Sequence, residues 1–238
     1  MSLVDNIERQ MPSLIVNNSG LLGESLQDFM KQDAIDFVAV NIQPFTIQHN
    51  DEEKESVQEA LYEKAKEGCS FKNIFINCVD GFNEIEDYKS DFIGSIRKTQ
   101  FVLTEMLTVL KYSAQHLMRG DGGSIWVLCL DQGASYSVDT PYNPIMNNAM
   151  VAAVRSLAKE VARFNITVNV FMIQPPSELA DQTVWRGAKN NLKAFSMKFK
   201  PNPIKKVAEV LCMYSKMTSP PLSGVVIPIG TGFIEHNY

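Results

Sequence analysis

Six short, nearly unbroken apolar runs, separated by helix-patterned stretches, constrain this chain more than any other feature. The runs are Leu14-Ile15-Val16, Phe37-Val38-Ala39-Val40, Ile74-Phe75-Ile76, Ile125 to Leu130, Val168 to Ile173 and Val225 to Ile229. Strands that are apolar at successive positions suit a parallel sheet covered on both faces. Helix candidates fill the intervals: Glu24 to Gln32, Glu52 to Glu67, Asp87 to Met118, Asn143 to Phe164 and Ile204 to Tyr214. The third is long enough for a helix pair or one long helix. Alternation of this kind predicts an α/β fold with a single doubly wound, Rossmann-like parallel sheet. No internal repeat or long linker divides residues 1–238, so one domain is expected. Pro175 to Phe199, with its Pro-Pro pair and Lys-rich tail, is the expected mobile flap over the sheet's C-terminal edge.

Composition narrows the function classes. At 45% apolar residues over 238 positions the chain can support a large core, burying about 70% of the surface its unfolded form exposes. Its net charge of −5 argues against a nucleic-acid partner gripped through phosphates. No apolar run approaches the ~20 residues of a membrane helix, so no membrane association is expected. The opening residues Asp5, Glu8 and Arg9 do not read as a signal peptide. Cys69, Cys78, Cys129 and Cys212 are far apart, as are His49, His116 and His236. Neither set has metal-site or disulfide-framework spacing, so no metal is expected and a reduced, cytoplasmic setting is.

Two regions carry the chemistry. The first run turns into its helix through Asn17-Asn18-Ser19-Gly20-Leu21-Leu22-Gly23, where a nucleotide's pyrophosphate could meet backbone amides. Such a turn is also common for geometric reasons alone. The second region is a series of blocks. Gly122-Gly123-Ser124-Ile125-Trp126-Val127 opens a strand, and Arg155-Ser156-Leu157-Ala158-Lys159-Glu160 lies in a helix. Ile166-Thr167-Val168-Asn169-Val170 and Leu222-Ser223-Gly224-Val225 follow. In order and spacing these blocks resemble the short-chain dehydrogenase/reductase family, in particular its 3-oxoacyl-carrier-protein reductase-like members. The resemblance runs from Leu14 to Gly232, specific in the second half and loose in the first.

The resemblance implies a Tyr-x-x-x-Lys pair, with the Lys ten residues ahead of Leu157. Those positions hold Asn143 and Asn147, the family serine position holds Leu130, and the family asparagine position holds Asp91. Amide side chains do not titrate and leucine cannot donate a proton. One positioned acid or base is typically worth about 10²–10⁴ in rate, so little carbonyl reduction is expected. Tyr142 is the nearest rescue candidate, but a one-residue shift at a helix start turns a side chain by about 100°.

The cofactor motifs are degraded too. Of the glycine turn that the resemblance implies, Gly23 is retained, Gly20 is displaced by one, and Asn17 and Leu21 replace glycines. Candidate cofactor contacts are Asn17, Ser19, Gly20, Gly23, Asn41 at the ribose-reading position, and Asn77. The resemblance implies NAD(P), and these departures leave no cofactor assigned. Between Val40 and Glu52 lie about eleven residues, including Phe45-Thr46-Ile47, so the second crossover helix is expected to be deleted.

The helices at 92–118 and 143–164 match those that pair family members into dimers and tetramers. Their stripes, Phe92, Ile96, Thr99, Leu103, Met106 and Leu110 on one and Met146, Met150, Ala153, Leu157 and Val161 on the other, suit both core and interface. The leading expectation is a non-catalytic oligomer subunit, in a homodimer or homotetramer or beside an active reductase. The rivals are an NAD(P)-dependent oxidoreductase with a rearranged site using Tyr142 or Asp91, and a ligand-sensing module in the amide-rich cleft.

Overall fold

The structure, a computed structural model, describes residues 12–16, 20–40, 71–79, 83–138, 143–217 and 221–232. Each apolar run forms a strand: β1 (Ser13–Val16), β2 (Phe37–Val40), β3 (Asn73–Asn77), β4 (Gly123–Leu130), β5 (Ile166–Ile173) and β6 (Val226–Ile229). They make one sheet in the order β2-β1-β3-β4-β5-β6, and every neighbouring pair is parallel.

Because successive strand side chains point to opposite faces, the unbroken apolar runs give the sheet two hydrophobic sides. Ile74, Ile76, Ile125, Val127, Val168 and Val170 face one way and pack against α3 (Phe92–Met118) and α5 (Pro144–Val161). Ile15, Phe75, Trp126, Leu128, Phe171 and Ile173 face the other and pack against α1 (Gly20–Gln32) and α7 (Ile204–Ser215). The stretch at Asp87 to Met118 resolves into two helices, α2 (Glu84–Ser90) and α3. The break falls at Asp91, whose extended backbone (φ −148°, ψ 96°) and carboxylate cap α3 by accepting from the Gly94 N–H.

Two short helices add to the expected elements. Residues Gln132–Ser137 form α4 because the Asp131 carboxylate accepts from the Ala134 N–H at 3.0 Å and opens the turn. Pro175 to Phe199 folds into short helical pieces, including α6 (Gln182–Gly187). Trp185, Phe195 and Phe199 gather there against Ala134 and Val138, so this segment carries a small core of its own. The Glu52 to Glu67 helix candidate, Phe45-Thr46-Ile47 and the expected helix deletion lie outside the described residues.

A polar-aromatic joint fixes α7 to the sheet. Trp126 is fully buried, stacks on Phe171 with ring centroids 5.2 Å apart, and meets Tyr214 edge-on at 5.3 Å. Its indole Nε1 donates to Asn73 Oδ1, and Asn73 Nδ2 donates to the Ser215 carbonyl. Truncating a buried aromatic of this size costs about 3–5 kcal/mol. Trp126→Ala should lower the unfolding free energy obtained from urea melts by that amount, and a change under about 1 kcal/mol would contradict this packing.

Candidate functional site

The sheet order reverses between β1 and β3. The chain leaves β1 for β2 on one side and returns to β3 on the other. In open α/β sheets this switch point opens a crevice at the strands' C-terminal ends, where ligands bind. Here that edge is marked by Val16, Asn77 and Leu130. Gly20 starts α1 with φ 84°, a left-handed conformation that glycine adopts most easily. Gly23 is buried on the same helix beside Leu22 and Leu26.

The N-terminus of α5 carries both amides that replace the expected acid/base pair, and both are buried. Asn143 Oδ1 accepts from the Glu84 N–H at 3.0 Å. Glu84 returns the contact: its two carboxylate oxygens accept from the Ile145 and Met146 N–H groups at 2.9 and 2.8 Å. This satisfies two of the first-turn donors that a helix leaves unpaired and places a negative group at the positive helix end. Pro144, which has no N–H to satisfy, opens the helix. One turn on, Asn147 Nδ2 donates to the Leu130 carbonyl at 2.7 Å. Leu130 itself packs with the α1 and α7 side of the sheet, so its backbone, not its side chain, meets α5.

The remaining candidates are separate from this cluster or turned to structural use. Asp91 caps α3 from an exposed position. Asn77 is buried, and its Oδ1 accepts from the Val79 N–H at 3.0 Å. Asn17, Ser19, Asn41 and Tyr142 lie outside the described residues. Sequence reasoning missed Glu84. No local pattern signals it, because its partners lie about sixty residues further along the chain.

Beside this cluster, Gln174 at the end of β5 seals the β6 edge. Its Oε1 accepts from the Thr231 N–H at 2.8 Å and its Nε2 donates to the Thr231 carbonyl at 3.1 Å. A Cβ on Gly230 would collide with the Gln174 amide.

Three solved structures share this architecture. They are a double variant of a Serratia marcescens short-chain dehydrogenase/reductase, a Mycobacterium avium 3-hydroxyacyl-CoA dehydrogenase type-2 and a Sinorhizobium meliloti dehydrogenase/reductase. The Serratia protein aligns with a TM-score of 0.60 at 12% identity, over 94% of this chain and 97% of its own. The Mycobacterium protein gives 0.65 at 11%, with the same coverage. The Sinorhizobium protein gives 0.64 at 13%, over 93% of this chain and 94% of its own. The fold is that of the short-chain dehydrogenases/reductases. No family model and no curated relative matches the sequence.

NAD(P) is the cofactor associated with this fold. The left-handed glycine at the start of α1 is compatible with a phosphate group there. The catalytic end does not fit: Asn143 and Asn147 are buried and bonded within the protein, and neither can exchange a proton. Among the described residues no group of three His, Cys, Asp or Glu side chains could hold a metal ion, and no helix could cross a membrane.

Burial pushes the Glu84 carboxyl above its ordinary value of 4.5, and its two backbone hydrogen bonds pull it partly back. A group raised in the folded state stabilises the fold fully below its ordinary value and loses that share as pH rises through the raised one. Glu84→Gln is neutral at every pH and removes this slope. Stability of the parent relative to Glu84→Gln should therefore fall in urea melts as pH rises from the ordinary value of 4.5 through the raised one. Glu84→Ala strands buried N–H groups and should cost about 2–4 kcal/mol. A pH-independent difference between parent and Gln variant would contradict this assignment.

Proposed function

We propose that this chain is a non-catalytic subunit built on the short-chain dehydrogenase/reductase fold, assembling with copies of itself in the cytoplasm. The observation that carries this reading is the α5 N-terminus. The positions where the family resemblance implies a proton-donating pair are occupied by Asn143 and Asn147, whose amides brace Glu84 and the Leu130 carbonyl. Side chains committed to internal hydrogen bonds, and unable to titrate, support a scaffold role rather than turnover. Met146 fills the start of α5 and Leu130 is buried on the opposite face of the sheet, which weighs against a ligand-sensing cleft beside the two amides.

The paired outer helices support assembly. Leu107, Leu110, Ala114 and Met118 of α3 face Ala153 and Leu157 of α5 across a groove of about 370 Å³. Near the start of α3, Phe92 and Ile93 are 59% and 64% exposed. Meanwhile Met106, Met150 and Val161 of the same helices are buried against the sheet. Helices apolar on both sides suit burial between a sheet and a partner copy. A subunit beside an active reductase is the other assembly this face would serve.

The closest catalytic rival is a carbonyl reductase with a rearranged site. The acyl-thioester chemistry named for the Mycobacterium neighbour makes an acetoacetyl thioester with NADPH the relevant assay. No reduction above background is expected. Turnover abolished by Tyr142→Phe would overturn the non-catalytic reading. For assembly, light scattering of the full chain should report a dimer or tetramer, and Leu107→Glu should shift it toward monomer. A monomeric parent chain would overturn self-assembly and leave the hetero-oligomer.

A further inference from the structure

We propose that Cys78 and Cys129 form a redox-sensitive pair that closes into a disulfide when a small-molecule disulfide reaches Cys78. The parallel ladder of β3 and β4 ends with Asn77 opposite Leu128, and the Cys78 N–H extends it by donating to the Leu128 carbonyl at 2.9 Å. The next pair in that register is Cys78 and Cys129. Neighbouring strands lie about 4.8 Å apart, inside the roughly 4.4–6.8 Å Cα separation a disulfide spans. Residues in register on adjacent strands point to the same face, and both cysteines pack with Met106 on the α3 side of the sheet. The Cys78 thiol lies 3.7 Å from Met106 Sδ, and it also engages the Cys129 thiol.

The two cysteines differ in the way a stepwise exchange requires. Cys78 is partly exposed at the sheet's C-terminal edge, while Cys129 is fully buried. The hydrogen bond to Cys78, with burial, holds the Cys129 thiol well above its ordinary range. Reaction therefore starts at Cys78. Its thiolate attacks R–S–S–R, forms a Cys78–S–S–R mixed disulfide and expels one thiolate, which takes up the proton Cys129 releases. The Cys129 thiolate then attacks Cys78 Sγ and expels the second R–S⁻, which takes up from solvent the proton that Cys78 gave up on ionising. Two protein thiols are oxidised and one small disulfide is reduced to two thiols. Cys212 packs on the opposite face of the sheet, away from this exchange.

The test is incubation of the native full chain with oxidised glutathione, followed by alkylation and peptide mapping without reductant. The expected result is a Cys78–Cys129 linked peptide, protection of those two of the four cysteines from alkylation, and full reversal by dithiothreitol. Cys129→Ser should instead trap glutathione on Cys78, and Cys78→Ser should leave Cys129 unmodified. A stable glutathione adduct on Cys78 of the parent chain, linkage through another cysteine, or retention of all four thiols would overturn the proposal. Assay of turnover and of assembly is independent of these readouts, so the non-catalytic reading can fail while the thiol pair stands.

Discussion

Everything in this molecule follows from a parallel sheet that is apolar on both faces. Such a sheet cannot leave either side in water, so helices must cover each one, and each parallel connection must cross the sheet to bring them there. The two resulting layers, α3 with α5 and α1 with α7, meet the sheet through separate clusters. The connection pattern also creates the crevice at β1 and β3. The location of the candidate site is therefore a by-product of how the core is covered.

Within that frame the α5 N-terminus has been turned into a structural joint. A helix start is a place where unpaired N–H groups and the helix dipole favour an anion. Here the anion is a carboxylate from the chain itself, Glu84, and α2 delivers it. Burying that charge is unfavourable, which the raised proton affinity of Glu84 reflects, and two short hydrogen bonds offset part of the cost. Asn143 completes a two-way bond with Glu84, and Asn147 ties the same helix to the end of β4. Both amides thus hold elements together.

Much of the fold was legible in the sequence because its signals were local and repeated. All six apolar runs became strands, with ends shifted by at most two residues, and the helix stretches at Glu24, Asn143 and Ile204 formed helices. Asp91 was legible as a family position, and its capping role was not read. An aspartate four residues before Ser95 at a helix start is an N-cap in the structure, as capping statistics favour. The short helix at Gln132 went unread, and the one at Gln182 fell inside the expected flap, because each is too brief to show a period. Glu84 could not be found by pattern at all, since its meaning depends on α5 arriving from elsewhere in the chain. The glycine turn yielded its left-handed Gly20, while Asn17, Ser19 and Asn41 fall outside the described residues.

The Gln174 clasp carries a requirement of its own. One side chain both accepts from and donates to a single residue, Thr231, as a neighbouring strand's backbone would. Glutamate offers only acceptors when ionised, and leucine offers neither, so the position calls for a carboxamide. The same intimacy forbids a methyl group on Gly230. Residues 174 and 230 are thus expected to be interdependent: enlarging one without shortening the other should peel the last strand from the sheet's edge.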